Sequence, residues 1–168
     1  MTSRKIMLLG DIGVGKSSIV QRLVFDRFDM TYKPTIGVDV YRYEVPPAAG
    51  RDPINLIVWD TDGNLSDLIF QHVYMKAASA AMIVGDLTRR ETLDTMLRLA
   101  TSFRDALPGR HISFLLNKSD LLGRPDSAEI PKEFSADRRD VVRTSARTGD
   151  NVQVAFIEAA NAILRRGH

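Results

Sequence analysis

A glycine-rich phosphate-binding motif lies close to the N-terminus. Residues 10–17 have the sequence GDIGVGKS, which fits the pattern G-x-x-x-x-G-K-[ST]. Glycine lets the backbone curl so that successive N–H groups face one anion, and the N-terminus of a following helix adds positive potential. In such a loop Lys16 would reach the β- and γ-phosphates of a nucleotide, and the Ser17 hydroxyl would bind Mg²⁺. The motif therefore predicts a nucleoside triphosphate site.

An acidic residue at the end of a later strand is predicted to complete the magnesium site. Asp60 lies in the run WDTDG at residues 59–63. A Walker-B aspartate holds the magnesium shell from such a position. Aspartate after a strand is also common in turns, so the functional interpretation of Asp60 depends on the phosphate-binding motif.

A third motif is predicted to select the base. Residues 117–120 read NKSD, and the Asp120 carboxylate can accept hydrogen bonds from both N1–H and the exocyclic amine of guanine. Adenine offers no such donor pair, and a site built on hydrogen bonds can reject the wrong partner by roughly 10⁴-fold. The aliphatic stem of Lys118 can cover a face of the base. In the later run TSAR, residues 144–147, a backbone N–H could reach the guanine O6. A P-loop ATPase or kinase is the alternative that Asn117 and Asp120 argue against.

The elements that must position these motifs alternate along the chain. Residues 38–45 alternate between polar and apolar types, and the apolar run at 54–59 would return as the second strand of a hairpin. Asp150 or Asn151 is placed to cap the last predicted helix. Buried strands are predicted where short apolar runs occur, at residues 6–9, 77–84, 112–116 and 141–142. Helices are predicted where apolar residues keep helical spacing, at residues 16–25, 93–103 and 152–163.

This order predicts one domain over residues 1–168 with an α/β fold. We expect a doubly wound, mainly parallel six-stranded sheet flanked by about five helices. Ligands of such sheets bind beyond the carboxyl ends of the strands, and the motifs fall at those ends.

The composition excludes several classes of function. The formal net charge is only +2, which argues against a nucleic-acid partner. The chain has no cysteine, so disulfides, thiolate metal sites, prenylation and palmitoylation are excluded. Thr2 excludes myristoylation, and no apolar run approaches the ~20 residues of a membrane span. We therefore expect a cytoplasmic protein with no lipid anchor encoded in this chain, whose contact with a membrane would be made through a partner.

The motifs together resemble the Ras superfamily of small GTPases, and are most similar to its Rab-like branch. The resemblance covers nearly the whole chain, from Arg4 to Arg165, and includes the run YKPTIGVD at residues 32–39. It implies the P-loop NTPase G-domain fold, with GTP and GDP as ligands and Mg²⁺ as cofactor. It also implies that effectors, exchange factors and activating proteins bind the switch segments, around residues 36–45 and 65–74.

The resemblance assigns roles that the residues alone would not reveal. Thr35 is similar to the switch I threonine that binds Mg²⁺ and the γ-phosphate, and Phe28 to the aromatic residue that stacks on the guanine edge. Gly63 resembles the glycine whose N–H meets the γ-phosphate. The candidate catalytic residues are Lys16, Thr35, Gly63 and Asn64, and the candidate metal ligands are Ser17, Thr35 and Asp60. The candidate nucleotide-contacting residues are Gly13, Val14, Gly15, Lys16, Ser17, Ser18, Phe28, Thr35, Gly63, Asn117, Lys118, Asp120, Ser145, Ala146 and Arg147.

Three departures from the family pattern would lie near the γ-phosphate. Ile12 stands where the family has glycine or serine, Asp62 where it has alanine, and Asn64 where it has the glutamine that orients the attacking water. We therefore predict a GTP/GDP switch with slow hydrolysis. The alternative is a GTP-binding scaffold that hardly hydrolyses its nucleotide.

Overall fold

The computed structural model describes residues 1–61, 63, 73–124, 128–136 and 140–167. The strands are β1 (Thr2–Gly10), β2 (Val38–Glu44), β3 (Ile54–Thr61), β4 (Ala80–Asp86), β5 (His111–Asn117) and β6 (Val141–Arg143). The α-helices are α1 (Lys16–Phe25), α2 (Arg90–Ala106), α3 (Glu133–Ala136) and α4 (Val152–Arg166), and a 3₁₀-helix spans Ser119–Leu121. None of the helices in the described ranges is long and apolar enough to cross a membrane.

The six strands form one sheet in the order β2-β3-β1-β4-β5-β6. Only β2 and β3 pair antiparallel, and every other neighbouring pair is parallel. The chain leaves β1 for strands on one side and later returns to β4 on the other side. This reversal places a crevice at the carboxyl end of β1, where ligands bind in doubly wound sheets. The predicted fold class is confirmed.

The core has two parts because alternate side chains of the central strand point to opposite faces of the sheet. Ile6 and Leu8 pack with α1 and α4, whereas Met7 and Leu9 pack with α2 on the other face. Both faces of β1 are therefore covered, which explains why its sequence is continuously apolar. The helix residues that complete the two parts include Ile19, Val20, Val152, Phe156, Leu93, Met96 and Phe103.

Two local expectations were wrong. The strand predicted from residue 77 begins at Ala80, because Ala77 has a left-handed backbone with φ 64° and lies in a turn. Asn151 occupies the N-cap position of α4, but its φ is 57° and its side chain makes no capping hydrogen bond. A capping side chain needs an extended backbone at that position. The Asn151 amide instead donates to the Arg143 carbonyl at 2.9 Å.

Candidate nucleotide-binding site

One cavity of about 1370 Å³ lies at the carboxyl ends of the strands and is lined by most of the predicted nucleotide-contacting residues. The predicted residues on its wall are Gly13, Gly15, Lys16, Ser17, Ser18, Phe28, Thr35, Gly63, Asn117, Lys118, Asp120, Ala146 and Arg147. Val14, Asp60 and Ser145 are fully buried behind this wall. A smaller hollow of about 550 Å³, lined by Ser3, Lys5 and Arg110, lies at the opposite end of β1, away from the motifs.

The phosphate-binding loop connects β1 to the N-terminus of α1. Lys16 is 7% exposed, and its ammonium group donates to the carbonyls of Gly10 at 2.8 Å and Asp11 at 2.9 Å. Gly15 has φ 101°, and a Cβ atom there would lie 2.4 Å from the Asn117 amide nitrogen. Only glycine therefore fits, because any larger residue would clash with the strand end that carries the base motif.

Two residues of the base motif hold the outer side of this loop. The Asn117 side chain donates to the Val14 carbonyl at 2.9 Å, and Lys118 donates to the Gly13 carbonyl at 2.9 Å. Both carbonyls accept hydrogen bonds from outside the loop, so the N–H groups of the same peptide planes point the other way, toward the cavity. The base motif thus also shapes the phosphate site.

Asp86, at the end of β4, supports the base motif and was not predicted. Its side chain is 1% exposed and accepts from Lys118 at 2.7 Å and from Arg89 at 3.1 Å. Burial alone would raise the pKa of Asp86, but hydrogen bonds from Lys118, Thr88 and Arg89 outweigh it and hold the pKa below its ordinary value. An acidic residue at the end of a buried strand is the sequence feature that could have identified Asp86, and the same feature identified Asp60.

The predicted base-binding residues lie together where β5 and β6 end, at the end of β5 and in the loops that follow the two strands. The exposed Asp120 carboxylate accepts from the Ser145 hydroxyl at 2.7 Å. The Asn117 side-chain oxygen accepts from the Thr144 hydroxyl and from the Ala146 N–H, each at 3.2 Å. Hydrogen bonds within the protein therefore join the loop after β6 to the loop after β5.

Arg22 of α1 also holds this loop and was missed by sequence reasoning. Its guanidinium donates to the Ala146 carbonyl at 2.9 Å and to the Arg147 carbonyl at 2.6 Å. The same side chain forms an ion pair with Asp26, whose side chain is 90% exposed. No local pattern could reveal this role, because Arg22 and Ala146 are separated by 124 positions in the sequence.

The three candidate metal ligands also lie together. The Ser17 hydroxyl is hydrogen-bonded to the Thr35 hydroxyl at 2.7 Å, and it donates to one oxygen of Asp60. The other oxygen of Asp60 is buried and has no hydrogen-bond partner among the described residues. Burial raises the pKa of Asp60 to about 6, although the Ser17 hydrogen bond and the charge of Lys16 act against it. Two hydroxyls and a buried carboxylate with a spare oxygen fit Mg²⁺, which prefers oxygen ligands.

The wall that would face the γ-phosphate is formed by Ile12, Thr35 and Gly63. A Cβ atom at Gly63 would lie 2.6 Å from the Ile12 backbone nitrogen, so Gly63 packs directly on the phosphate-binding loop. Ile12 is 43% exposed and lines the cavity. Asp62 and Asn64 lie outside the described residues, as do residues 65–72 of the predicted second switch segment.

The chain is similar to known proteins along nearly its whole length. A sequence model of the Ras family matches residues 5–165. The chain is 34% identical over 165 residues to Ras-related protein Rab-22A of Canis lupus familiaris, covering 95% of this chain and 82% of that protein. It is 33% identical over 158 residues to Ras-related protein Rab-31 of Rattus norvegicus, covering 90% of this chain and 78% of that protein. These similarities confirm the resemblance that the motifs indicated.

Proposed function

The chain belongs to the Ras family and is a Rab-like, GTP-binding small GTPase, and from that premise we propose that it binds GTP and GDP with Mg²⁺ and hydrolyses GTP slowly. One observation carries this proposal. A single cavity runs from Asp120, the residue that would select guanine, to Lys16 and to the hydroxyls of Ser17 and Thr35, which lie against the buried carboxylate of Asp60.

Each end of that cavity has a distinct role in the proposal. Asp120 would accept hydrogen bonds from guanine, while the inward-facing loop amides and Lys16 would bind the phosphates. Ser17, Thr35 and Asp60 would hold Mg²⁺, which supplies positive charge to the phosphate oxygens when bound. The catalytic contribution of the chain is then positioning and charge stabilisation, with no covalent step on the protein.

The slow rate is proposed from three residues at the γ-phosphate end. Asn64 is one methylene shorter than glutamine, so its amide would fall more than ~1 Å short of the attacking water, and a misplacement of that size can cost ~10²-fold in rate. Asp62 would add negative charge beside the phosphates. Ile12 would narrow the path for an arginine from an activating partner, a group that can contribute ~10³–10⁵-fold.

The proposed switch consists of two segments that Thr35 and Gly63 would tie to the γ-phosphate and release after hydrolysis. Around Thr35 the described surface includes Ile36, which is 91% exposed, and Val40, which is 53% exposed. Effectors, exchange factors and activating proteins would bind this surface and residues 65–74. We place the protein in the cytoplasm, with contact to a membrane made through such a partner.

Single-turnover hydrolysis of preloaded GTP tests the rate. We expect slow turnover in the wild-type protein and an increase of ~10- to 100-fold in Asn64→Gln, because the longer amide reaches the water. Asp62→Ala should raise the rate by a smaller factor. Asp94→Ala, which removes an exposed acid on α2, is the matched control and should leave the rate unchanged.

The outcomes separate the alternatives. Fast wild-type turnover that neither substitution raises would show that Asn64 and Asp62 do not slow the reaction. Tight GTP binding with no turnover in the wild type or in either variant would favour the scaffold.

A further inference from the structure

Three consecutive carbonyls of the phosphate-binding loop each accept a hydrogen bond from a different side chain. Lys118 donates to Gly13 and Asn117 donates to Val14, as described above. The preceding carbonyl, that of Ile12, accepts from the Arg89 guanidinium at 2.8 Å. Arg89 lies between β4 and α2, outside every motif that the sequence analysis identified. It therefore completes a row of donors whose other two members belong to the base motif.

The geometry of the peptide bond gives this contact a consequence inside the cavity. The carbonyl of one residue and the N–H of the next share a plane and point in opposite directions in a trans peptide. The described residues contain no cis peptide. A hydrogen bond from Arg89 to the Ile12 carbonyl therefore directs the Gly13 N–H toward the cavity. The Ile12 N–H itself is bonded to the Asp11 carboxylate at 2.8 Å, so the inward-facing amides begin at Gly13.

The peptide that Arg89 holds lies at the γ-phosphate end of the cavity. Gly63, the residue expected to meet the γ-phosphate, packs against the backbone of Ile12. Lys118 and Asn117 instead hold the next two peptides of the loop, through the carbonyls of Gly13 and Val14. Loss of the Arg89 contact should therefore disturb one end of the loop more than the other.

Arg89 is itself fixed by a buried carboxylate. Its Nε donates to Asp86 at 3.1 Å while its Nη2 donates to Ile12, so the two contacts use different nitrogens of the planar guanidinium. Asp86 is held in turn by Thr88, whose backbone N–H and hydroxyl donate at 2.9 Å and 2.6 Å. A lysine has a single ammonium group and lacks the planar fork that reaches both acceptors.

We propose that Arg89 is a positioning residue that orients the Gly13 amide toward the γ-phosphate and thereby favours GTP over GDP. This inference rests on the proposed function, because it assumes that the cavity holds a guanine nucleotide. The Gly13 amide would be misaligned without Arg89. The Val14 and Gly15 amides would stay oriented, because Lys118 and Asn117 still donate to the carbonyls of the same peptides.

The test compares the affinities of GDP and of a non-hydrolysable GTP analogue for the wild type, Arg89→Ala and Arg89→Lys. The Arg89→Ala protein should lose roughly 5-fold in the ratio of analogue affinity to GDP affinity, as expected for one or two modest hydrogen bonds. The Arg89→Lys protein should fall between the two. Arg90→Ala is the matched control, since Arg90 pairs with Asp94 and Glu129 on the surface, and its ratio should equal that of the wild type.

The ratio distinguishes positioning from a general structural role, because a loosened fold would weaken both nucleotides in proportion. If Arg89→Ala does not fold, an unchanged ratio in Arg89→Lys overturns the inference and a lowered ratio supports it. A wild-type protein that binds neither nucleotide contradicts the proposed function itself. A wild type that binds both, with the ratio unchanged in Arg89→Ala, overturns the role of Arg89 alone.

Discussion

The two ends of the cavity are built differently. At the base end, Asn117 and Ser145 are at most 2% exposed and are linked to the loops around them by hydrogen bonds. At the γ-phosphate end, Tyr32 is 62% exposed and Ile36 is 91% exposed, and Thr35 is held there by its hydrogen bond to Ser17. A segment with few buried contacts opens at low free energy, whereas a buried, cross-linked one does not.

This difference suits a protein that must bind two nucleotides that contain the same base. GDP and GTP share the guanine, so a preformed base end contributes equally to both. They differ by one phosphate, and a ligand shifts a conformational equilibrium only through contacts that differ between its states. The γ-phosphate end is therefore the part of the site whose conformation can depend on which nucleotide is bound. Substitutions at the two ends should have different signatures.

Asp120→Asn should produce the largest effect and should act on both nucleotides alike. The Asn side chain offers one acceptor, so its NH₂ group would face the second guanine donor, and the affinities of GDP and GTP should each fall by as much as ~10⁴-fold. Xanthine nucleotides, whose ring offers the complementary group, should bind the variant better than guanine nucleotides do. Titration with labelled GDP, GTP and xanthosine diphosphate measures this.

The control for that change is Asp105→Asn, an exposed aspartate in α2 far from the cavity, which should bind GDP as the wild type does. Equal affinity of the wild-type protein for ATP and GTP would contradict the assignment of Asp120. If Asp120→Asn lowered the affinity for GTP more than the affinity for GDP, the proposed difference between the two ends would be wrong.

Ser17→Asn should have a smaller effect and should act unequally on the two nucleotides. The Ser17 hydroxyl lies between Thr35 and Asp60, where it would help to hold Mg²⁺, and the metal would supply positive charge to the phosphate oxygens, of which GTP has more than GDP. We expect the GTP affinity to fall by at least roughly 10- to 100-fold, the range for residues that only support a metal ligand, because Ser17 is itself a proposed ligand, and we expect the GDP affinity to fall less.

Measurements of nucleotide release with and without a magnesium chelator complete that test. Ser102→Asn places the same substitution in α2 and should behave as the wild type. Release that is unaffected by chelation would show that the oxygen cluster does not hold the metal.

The sequence was sufficient for features that a contiguous run of residues encodes. The apolar runs of β1 and β5 predicted buried strands correctly, because a strand covered on both faces cannot alternate. The phosphate and base motifs were found for the same reason, since each is a contiguous run. The expected lining of the cavity followed once the carboxyl ends of parallel strands were placed at one edge.

Features that depend on the folded chain were not predictable. Arg89 and the Ile12 carbonyl that it holds are 77 positions apart, and the arginine lies at the exposed start of a helix. Asp150 or Asn151 was expected to cap α4, but the N-cap residue Asn151 has a left-handed backbone and its side chain donates to the Arg143 carbonyl instead. The roles of Asp62 and Asn64 stay predictions, because both residues lie outside the described ranges.

Arg22→Ala should give the smallest of these effects, and it tests the base end alone. The Arg22 side chain is 19% exposed and holds the carbonyls of Ala146 and Arg147. Loss of two hydrogen bonds, each worth about 0.7 kcal/mol net, should speed the release of GDP and of GTP by roughly 10-fold. Because only the base end is disturbed, the two rates should rise by the same factor, and hydrolysis of bound GTP should be unchanged.

Asp26→Ala separates these contacts from the ion pair that Arg22 also makes. The Asp26 side chain is 90% exposed, so water and salt screen the pair, and its removal should leave nucleotide release almost unchanged. Arg22→Lys should release nucleotide at an intermediate rate. The guanidinium of Arg22 reaches both carbonyls through different nitrogens, whereas the single ammonium group of lysine would reach only one of them. Stopped-flow release of a fluorescent GDP and a fluorescent GTP analogue measures all three variants. Faster release of the GTP analogue alone in Arg22→Ala would show that the loop after β6 communicates with the γ-phosphate end, and the independence of the two ends would then be wrong.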